Sequence, residues 1–134
     1  MIYLDTSALV KLVVREAETV ALQTWIRLRA GETFFSSQLA RVELVRAVKR
    51  AAPDHLDRAR GVLAAVALLK IDDRILETAE NLPPDVLRSL DAIHLATAFT
   101  HLSDVSAFVT YDVRLDEAAR SLRIPVESPC SQER

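Results

Sequence analysis

The sequence predicts an α/β domain with a central parallel sheet of four to five short strands flanked by helices, in three layers. Short apolar runs alternate along the chain with longer segments whose apolar residues recur at helical spacing. The apolar runs are continuous rather than alternating, as expected for strands buried on both faces. With only two glycines among 134 residues, the sequence also argues against an all-β fold, which needs many tight turns.

The first half of the chain is predicted to contain three strands and four helices. The apolar run at 2–4 is the first strand, and Thr6 or Ser7 can cap a helix over 8–14. A second helix over 16–30 is expected to end at Gly31, and a second strand covers 33–36. A helix over 37–52 stops at Pro53, a further helix runs from 54 or 55 to about 68, and a strand follows at 69–71.

The second half is predicted to contain three helices and two strands. A helix over 74–80 stops before Pro83 and Pro84, and a nearly all-apolar helix covers 89–102. A strand over 106–110, a helix over 112–122 and a last strand over 124–126 complete the pattern. We expect residues 1–127 to form a single domain and residues 128–134 to be a disordered tail.

Composition excludes several function classes. The scarcity of glycine leaves neither a dinucleotide-binding GxGxxG motif nor a phosphate-binding GxxxxGK[ST] loop, so phosphate chemistry must use side chains or metal. The single Cys130 cannot form an internal disulfide, and the chain starts as a strand, so we expect a cytoplasmic protein. The longest stretch without a charged residue is twelve residues, too short to span a membrane.

Two aspartates lie at the ends of predicted strands. Asp5 ends the first strand and Asp112 the fourth, and each precedes a helix. Ligands bind at the carboxyl ends of strands in open parallel sheets, where the first and fourth strands are commonly neighbours. Thr110 lies two residues before Asp112, on the same side of the strand, and its hydroxyl could orient a carboxylate or a water. Both aspartates could instead serve only as helix caps.

Two further acids lie on helices. Glu43 is at the edge of an apolar stripe, where it could simply pair with Arg46 one turn later. Asp91 opens the nearly all-apolar helix, and a carboxylate buried there needs a partner or a cation. We interpret His94, three residues on, as a structural histidine rather than a metal ligand.

Acids that converge from four segments repel one another unless a cation lies between them, and all-oxygen ligation suits Mg²⁺ or Mn²⁺. Without those four, 15 of the 19 acidic residues remain against 17 basic ones, which favours a polyanionic substrate. Asp116, one turn after Asp112, is a weaker candidate for the fourth acid. Candidates for phosphate contact include four basic residues: Lys11, Arg15, Arg46 and Arg114.

Four segments, taken in order, resemble the PIN-domain ribonucleases, and in particular the VapC toxins of bacterial toxin–antitoxin pairs. They are MIYLDTSALVKL, SQLARVELVRA, LDAIHLATA and FVTYDVRL. The resemblance covers the chain from Met1 to about Val126. It implies that Asp5, Glu43, Asp91 and Asp112 are the catalytic, metal-binding acids, with supporting polar side chains at Thr6, Ser7, Thr110 and Asp116.

The resemblance also implies a Mg²⁺- or Mn²⁺-dependent endoribonuclease in which a metal-activated water hydrolyses RNA and leaves a 5′-phosphate and a 3′-hydroxyl. It further implies a homodimer and inhibition by a cognate antitoxin protein.

Two alternatives remain. The first is another metal-dependent phosphoryl hydrolase or phosphoacceptor of similar fold. Asp5-Thr6-Ser7 lacks the Asp-x-Asp of haloacid-dehalogenase phosphatases, and the chain lacks the acidic pair and late lysine of receiver domains. The second is an inactive PIN-fold module that binds RNA or protein, against which the intact set of four acids argues.

Overall fold

A computed structural model describes residues 1–131 of the chain as a parallel sheet between two layers of helices. The strands are β1 (Ile2–Leu4), β2 (Phe34–Ser37), β3 (Ala67–Leu69), β4 (Ala107–Val109) and β5 (Val126–Glu127). The helices are α1 (Thr6–Val13), α2 (Thr19–Arg27), α3 (Leu39–Ala51), α4 (Leu56–Ala65), α5 (Asp73–Asn81), α6 (Ser89–Phe99) and α7 (Val113–Ser121). The predicted order of elements and the α/β class are confirmed.

The five strands are all parallel and lie in the order β3-β2-β1-β4-β5. Strands β2 and β3 therefore lie on one side of β1, and β4 and β5 lie on the other. This makes β1 and β4 neighbours at the point where the strand order reverses. In register, Leu4 is opposite Val109, so both strands end at the same level. Asp5 and Thr110 follow directly there, at the place where ligands bind in such sheets.

Alternate residues of β1 and β4 face opposite helical layers, because side chains of a strand point to its two faces in turn. Tyr3 and Phe108 are fully buried in one core, beneath α5, α6 and α7. Ile2, Leu4 and Val109 are buried in the other core, beneath α1 to α4. The helices thus cover both faces of the sheet, which explains the continuous apolar runs.

Several boundaries differ from prediction. The third strand lies at Ala67–Leu69 rather than 69–71, because α4 ends at Ala65 and Val66 is already extended. The last strand lies at Val126–Glu127, later than the predicted 124–126. The second helix begins at Thr19 and ends at Arg27. The predicted C-cap at Gly31 is wrong, since Leu28 ends the helix in a right-handed conformation and neither glycine has positive φ.

The predicted tail, 128–134, is described only in part. Ser128 donates to the carbonyl of Thr110, and the hydroxyl of Tyr111 donates to the carbonyl of Pro129 at 2.6 Å. Residues 132–134 lie outside the described residues, so disorder of the tail stays a prediction. Among residues 1–131, no helix has the length and apolar character needed to cross a membrane.

Candidate active site

Three hydrogen bonds hold the side chain of Asp5 at the end of β1. Its carboxylate is buried, with an exposed fraction of 3%. Oδ1 accepts hydrogen bonds from the Ser7 hydroxyl at 2.6 Å and the Ala8 amide at 3.0 Å, and Oδ2 accepts one from the Thr110 hydroxyl. Burial raises the pKa of Asp5 above its ordinary value, although these hydrogen bonds act in the opposite direction. Asp5 is therefore both the N-cap of α1 and a costly buried acid.

Thr110 connects Asp5 to Asp112. Its hydroxyl donates to Asp5 and accepts from the backbone amide of Asp112 at 3.1 Å. Oδ1 of Asp112 accepts from the first amides of α7, those of Arg114 and Leu115, so this aspartate is a helix cap as well. The capping and catalytic interpretations of both aspartates are thus compatible.

Asp91 lies in the first turn of α6 near Asp112. Its side chain is 20% exposed, so it is less buried than the all-apolar helix suggested, and it pairs with Arg88 at 3.4 Å. Partial burial and the negative charge of Asp112 raise the pKa of Asp91, and Arg88 opposes them. Asp91 is therefore close enough to Asp112 for their charges to interact.

Glu43 reaches the same end of the sheet from α3. Its Oε1 accepts a hydrogen bond from the Thr6 hydroxyl at 2.7 Å and lies 2.6 Å from Nε2 of His94. Partial burial raises the pKa of Glu43, but the contacts with His94 and Thr6 outweigh it, so that the pKa lies below its ordinary value. The expected pairing with Arg46 is replaced by these contacts.

The donor chemistry fits a hard divalent cation. All four acids offer carboxylate oxygens, which suit Mg²⁺ or Mn²⁺. Burial raises the pKa of Asp5 and of Asp91, and at Asp91 the negative charge of Asp112 adds to it, so a bound cation would favour the charged form of both. Across residues 1–131, however, no three histidine, cysteine, aspartate or glutamate side chains lie close enough together to bind one ion.

The other predicted site residues fall into two groups. Asp116 pairs with Arg120 within α7, whereas Asp112 contacts Thr110 and repels Asp91, which favours Asp112 as the fourth acid. Lys11 is buried, and its ammonium pairs with Glu16 and Glu18. These ion pairs argue against the predicted phosphate contact of Lys11, because its charge is already engaged inside the protein.

The remaining basic candidates, Arg15, Arg46 and Arg114, are exposed. Arg114 borders a groove of about 640 Å³ that also exposes Asp91 and Arg88 and has apolar walls from Val86 and Leu87. Of the four acids, Asp91 lines this groove, together with Glu117 and the two arginines.

The sequence predicted a structural role for His94 but not its hydrogen-bond partners. His94 is a buried, hydrogen-bonded histidine as predicted, but its partners are Glu43 and the hydroxyl of Tyr3. The only signal in the sequence was its position one helical turn after Asp91, on a helix with few other polar side chains.

Comparison with known proteins gives a consistent result. The sequence pattern of the PIN domain matches residues 2–121. The chain is 44% identical over 132 residues to ribonuclease VapC47 of Mycobacterium tuberculosis, with 96% of this chain and 97% of that protein covered. It is 47% identical over 131 residues to ribonuclease VapC35 of the same species, with the same coverage.

Solved structures agree on the fold. A toxin–antitoxin complex from Klebsiella pneumoniae matches with a TM-score of 0.73 at 22% identity and covers 98% of this chain and 100% of that one. The sarcin–ricin-loop-cleaving toxin VapC20 of Mycobacterium tuberculosis matches with a TM-score of 0.67 at 16% identity, over 88% and 95%.

Proposed function

The chain belongs to the PIN-domain family, and from that premise we propose that it is a Mg²⁺- or Mn²⁺-dependent endoribonuclease toxin. The observation that carries the proposal is the joining of Asp5 and Asp112 through the Thr110 hydroxyl, with Asp91 close enough to be repelled by Asp112. The two relatives named as VapC ribonucleases support RNA as the substrate class. The proposed reaction is hydrolysis of a phosphodiester bond.

The protein's own residues hold the acids in place for this reaction. Ser7, the Ala8 amide and Thr110 fix both oxygens of Asp5, and Thr6 and His94 fix one oxygen of Glu43. Asp5, Glu43, Asp91 and Asp112 would hold the cation. When bound, such a cation supplies Lewis-acid stabilisation of the phosphoryl oxygens and promotes ionisation of the attacking water. We expect products with a 5′-phosphate and a 3′-hydroxyl.

The groove beside Asp91 is the proposed path for the RNA chain. Arg88 and Arg114 border it and can contact backbone phosphates, while Val86 and Leu87 offer apolar surface to an unstacked base. Arg88 pairs with Asp91 at 3.4 Å, and its side chain is 70% exposed, so it can exchange that partner for a phosphate. Exposed Arg15 and Arg46 are weaker candidates for more distant contacts.

The proposed partners are a cognate antitoxin and a second copy of the chain, with the protein acting in the cytoplasm. Structures of similar fold include the toxin–antitoxin complex of Klebsiella pneumoniae, and VapBC2 of Rickettsia felis bound to promoter DNA. An antitoxin would inhibit the enzyme most simply by placing a cationic side chain at the acidic site.

The experiment that tests the function is cleavage of end-labelled single-stranded RNA by the purified chain. We expect cleavage with Mn²⁺ or Mg²⁺, none with EDTA, and none from Asp5→Ala. Asp112→Ala and Asp116→Ala form a matched pair on the same helix end. The first is expected to abolish cleavage, and the second to retain it, because Asp116 already pairs with Arg120.

Absence of cleavage together with absence of Mn²⁺ binding in titration calorimetry would refute the enzyme and favour a binding module of the same fold. Loss of cleavage in Asp116→Ala but not in Asp112→Ala would reassign the fourth acid.

A further inference from the structure

A continuous line of side-chain hydrogen bonds runs from the core of the protein to Glu43. The hydroxyl of Tyr3 lies 2.6 Å from Nδ1 of His94, and Nε2 of His94 lies 2.6 Å from Oε1 of Glu43. Tyr3 and His94 are buried, with exposed fractions of 0% and 2%. These three residues, which we call the Tyr3–His94–Glu43 chain, come from β1, α6 and α3 and join three separate segments.

The inner end of the chain is closely packed. The ring of Tyr3 stacks on Phe108 with centroids 4.9 Å apart and meets Phe35 edge-on at 5.1 Å. Tyr3 is also part of β1, two residues before Asp5. This packing orients the Tyr3 ring, so its hydroxyl can position the imidazole of His94.

The partners determine which nitrogen of His94 carries the proton. A carboxylate oxygen can only accept a hydrogen bond, so Nε2 of His94 is the donor in its 2.6 Å contact with Oε1 of Glu43. The Thr6 hydroxyl donates its proton to Oε1 of Glu43 at 2.7 Å, so its oxygen can only accept from Nε2 of His94, 3.2 Å away. Both arguments place the proton on Nε2, which donates to Glu43.

We propose that Tyr3 and His94 are positioning residues that hold Oε1 of Glu43 and thereby leave Oε2 available to the cation. The proposal rests on the proposed function, since Glu43 is one of the four acids assigned to the cation. Among residues 1–131, Oε2 of Glu43 accepts no hydrogen bond, whereas Oε1 has two donors. In many metal sites, residues that hydrogen-bond to a ligand orient it toward the metal. Removing such a residue typically lowers metal affinity about 10- to 100-fold.

Two substitutions of His94 separate positioning from mere core filling. The side-chain amide nitrogen of Gln can take the place of Nε2, whereas that of Asn reaches only as far as Nδ1. In titration calorimetry, we expect His94→Gln to keep Mn²⁺ affinity within about 3-fold of wild type and His94→Asn to lose roughly 10-fold or more. Exposed His55→Asn is the matched control and should bind as wild type does.

Equal affinity of His94→Asn and the wild type would overturn the proposal, and so would equal losses in the Asn and Gln variants. If His94→Asn does not fold, Tyr3→Phe carries the test. It removes only the hydroxyl and is expected to lower Mn²⁺ affinity, and an unchanged affinity would overturn the proposal as well.

Nitrogen NMR of the metal-free protein tests the chain without reference to nuclease activity. The wild-type spectrum should show a proton on Nε2 of His94, as its contact with Glu43 requires, and an unprotonated Nε2 would overturn the proposal. A protein that shows this pattern but neither binds Mn²⁺ nor cuts RNA would refute the proposed function instead. The two failures are therefore distinguishable.

Discussion

Replacing Asp91 with Asn removes one negative charge from the acidic site and leaves the shape of the side chain nearly unchanged. In the metal-free protein, partial burial and repulsion from Asp112 outweigh attraction to Arg88, since together they raise the pKa of Asp91 above its ordinary value of 3.8. The charged form is therefore less stable in the folded chain than in the unfolded chain at neutral pH. We expect Asp91→Asn to stabilise the metal-free protein.

The expected stabilisation is small, because the charged carboxylate of Asp91 also takes part in two favourable interactions. The ion pair with Arg88, whose side chain is 70% exposed, contributes about 0–1 kcal/mol, and the N-terminus of α6 contributes roughly 0.3–1 kcal/mol. After solvent screening of a side chain that is 20% exposed, we expect a net gain of no more than about 1 kcal/mol in the Asn variant. The difference in unfolding free energy between the variant and the wild type should vanish near pH 3. Below 3.8, Asp91 is protonated in both the folded and the unfolded chain, and its raised folded-state pKa lowers the stability of the wild type only as pH rises.

A cation should reverse this order. Mn²⁺ at about 100 times its dissociation constant stabilises the protein that binds it by roughly 2.7 kcal/mol, and the variant that has lost a ligand gains far less. Urea unfolding at pH 7, monitored by circular dichroism, measures the stability difference between the variant and the wild type first in EDTA and then in Mn²⁺. A variant that is less stable than wild type in EDTA, or equally stabilised by Mn²⁺, would refute the assignment of Asp91 to the site.

Three other substitutions have defined outcomes. Leu95→Ala, at a fully buried position, should lower the free energy of unfolding by about 2–5 kcal/mol in urea, and a loss below about 1 kcal/mol would contradict its place in the core. Thr110→Val leaves Oδ2 of Asp5 without its hydrogen-bond donor. It should lower the free energy of unfolding by roughly 1–3 kcal/mol and weaken Mn²⁺ binding in calorimetry, and unchanged stability would contradict the hydrogen bond between Thr110 and Asp5. Glu43→Gln should destabilise the metal-free protein above pH 4.5, and the loss should disappear as pH falls through the lowered pKa of Glu43; a constant difference across pH would oppose that assignment.

Hydrophobic patterning was sufficient to predict the order of the five strands and seven α-helices found among residues 1–131. Boundaries were less predictable, since they depend on side-chain contacts outside the pattern. Helix α1 begins at Thr6 because Asp5, rather than Thr6 or Ser7, is its cap. Strand β3 pairs only with β2, so its position follows that pairing rather than its own apolar residues.

The proximity of Asp5 and Asp112 was predictable, because a parallel sheet brings together the residues that follow neighbouring strands. The contact between His94 and Glu43 was not predictable. The two residues are 51 positions apart on separate helices, and nothing in the spacing of either helix indicates the other. Only the packing of α3 and α6 at one end of the sheet brings them together.

The burial of Lys11 shows a second limit of sequence reasoning. A lysine on a short helix near the acidic site is expected to be exposed, and its charge to be free. In the structure its ammonium lies 2.9 Å from Glu18 and 4.6 Å from the ring centre of Tyr111. Those partners follow from the turn before α2 and from the segment after β4, neither of which the helical pattern specifies.

Mapping RNA ends after expression of the wild-type chain and of Asp91→Asn tests the central claim most directly. If the four acids form a metal-dependent ribonuclease site, the wild type should generate new, discrete ends that carry a 5′-phosphate and a 3′-hydroxyl, and the variant should generate none. The same cuts from the variant, or ends that carry a 2′,3′-cyclic phosphate, would contradict it.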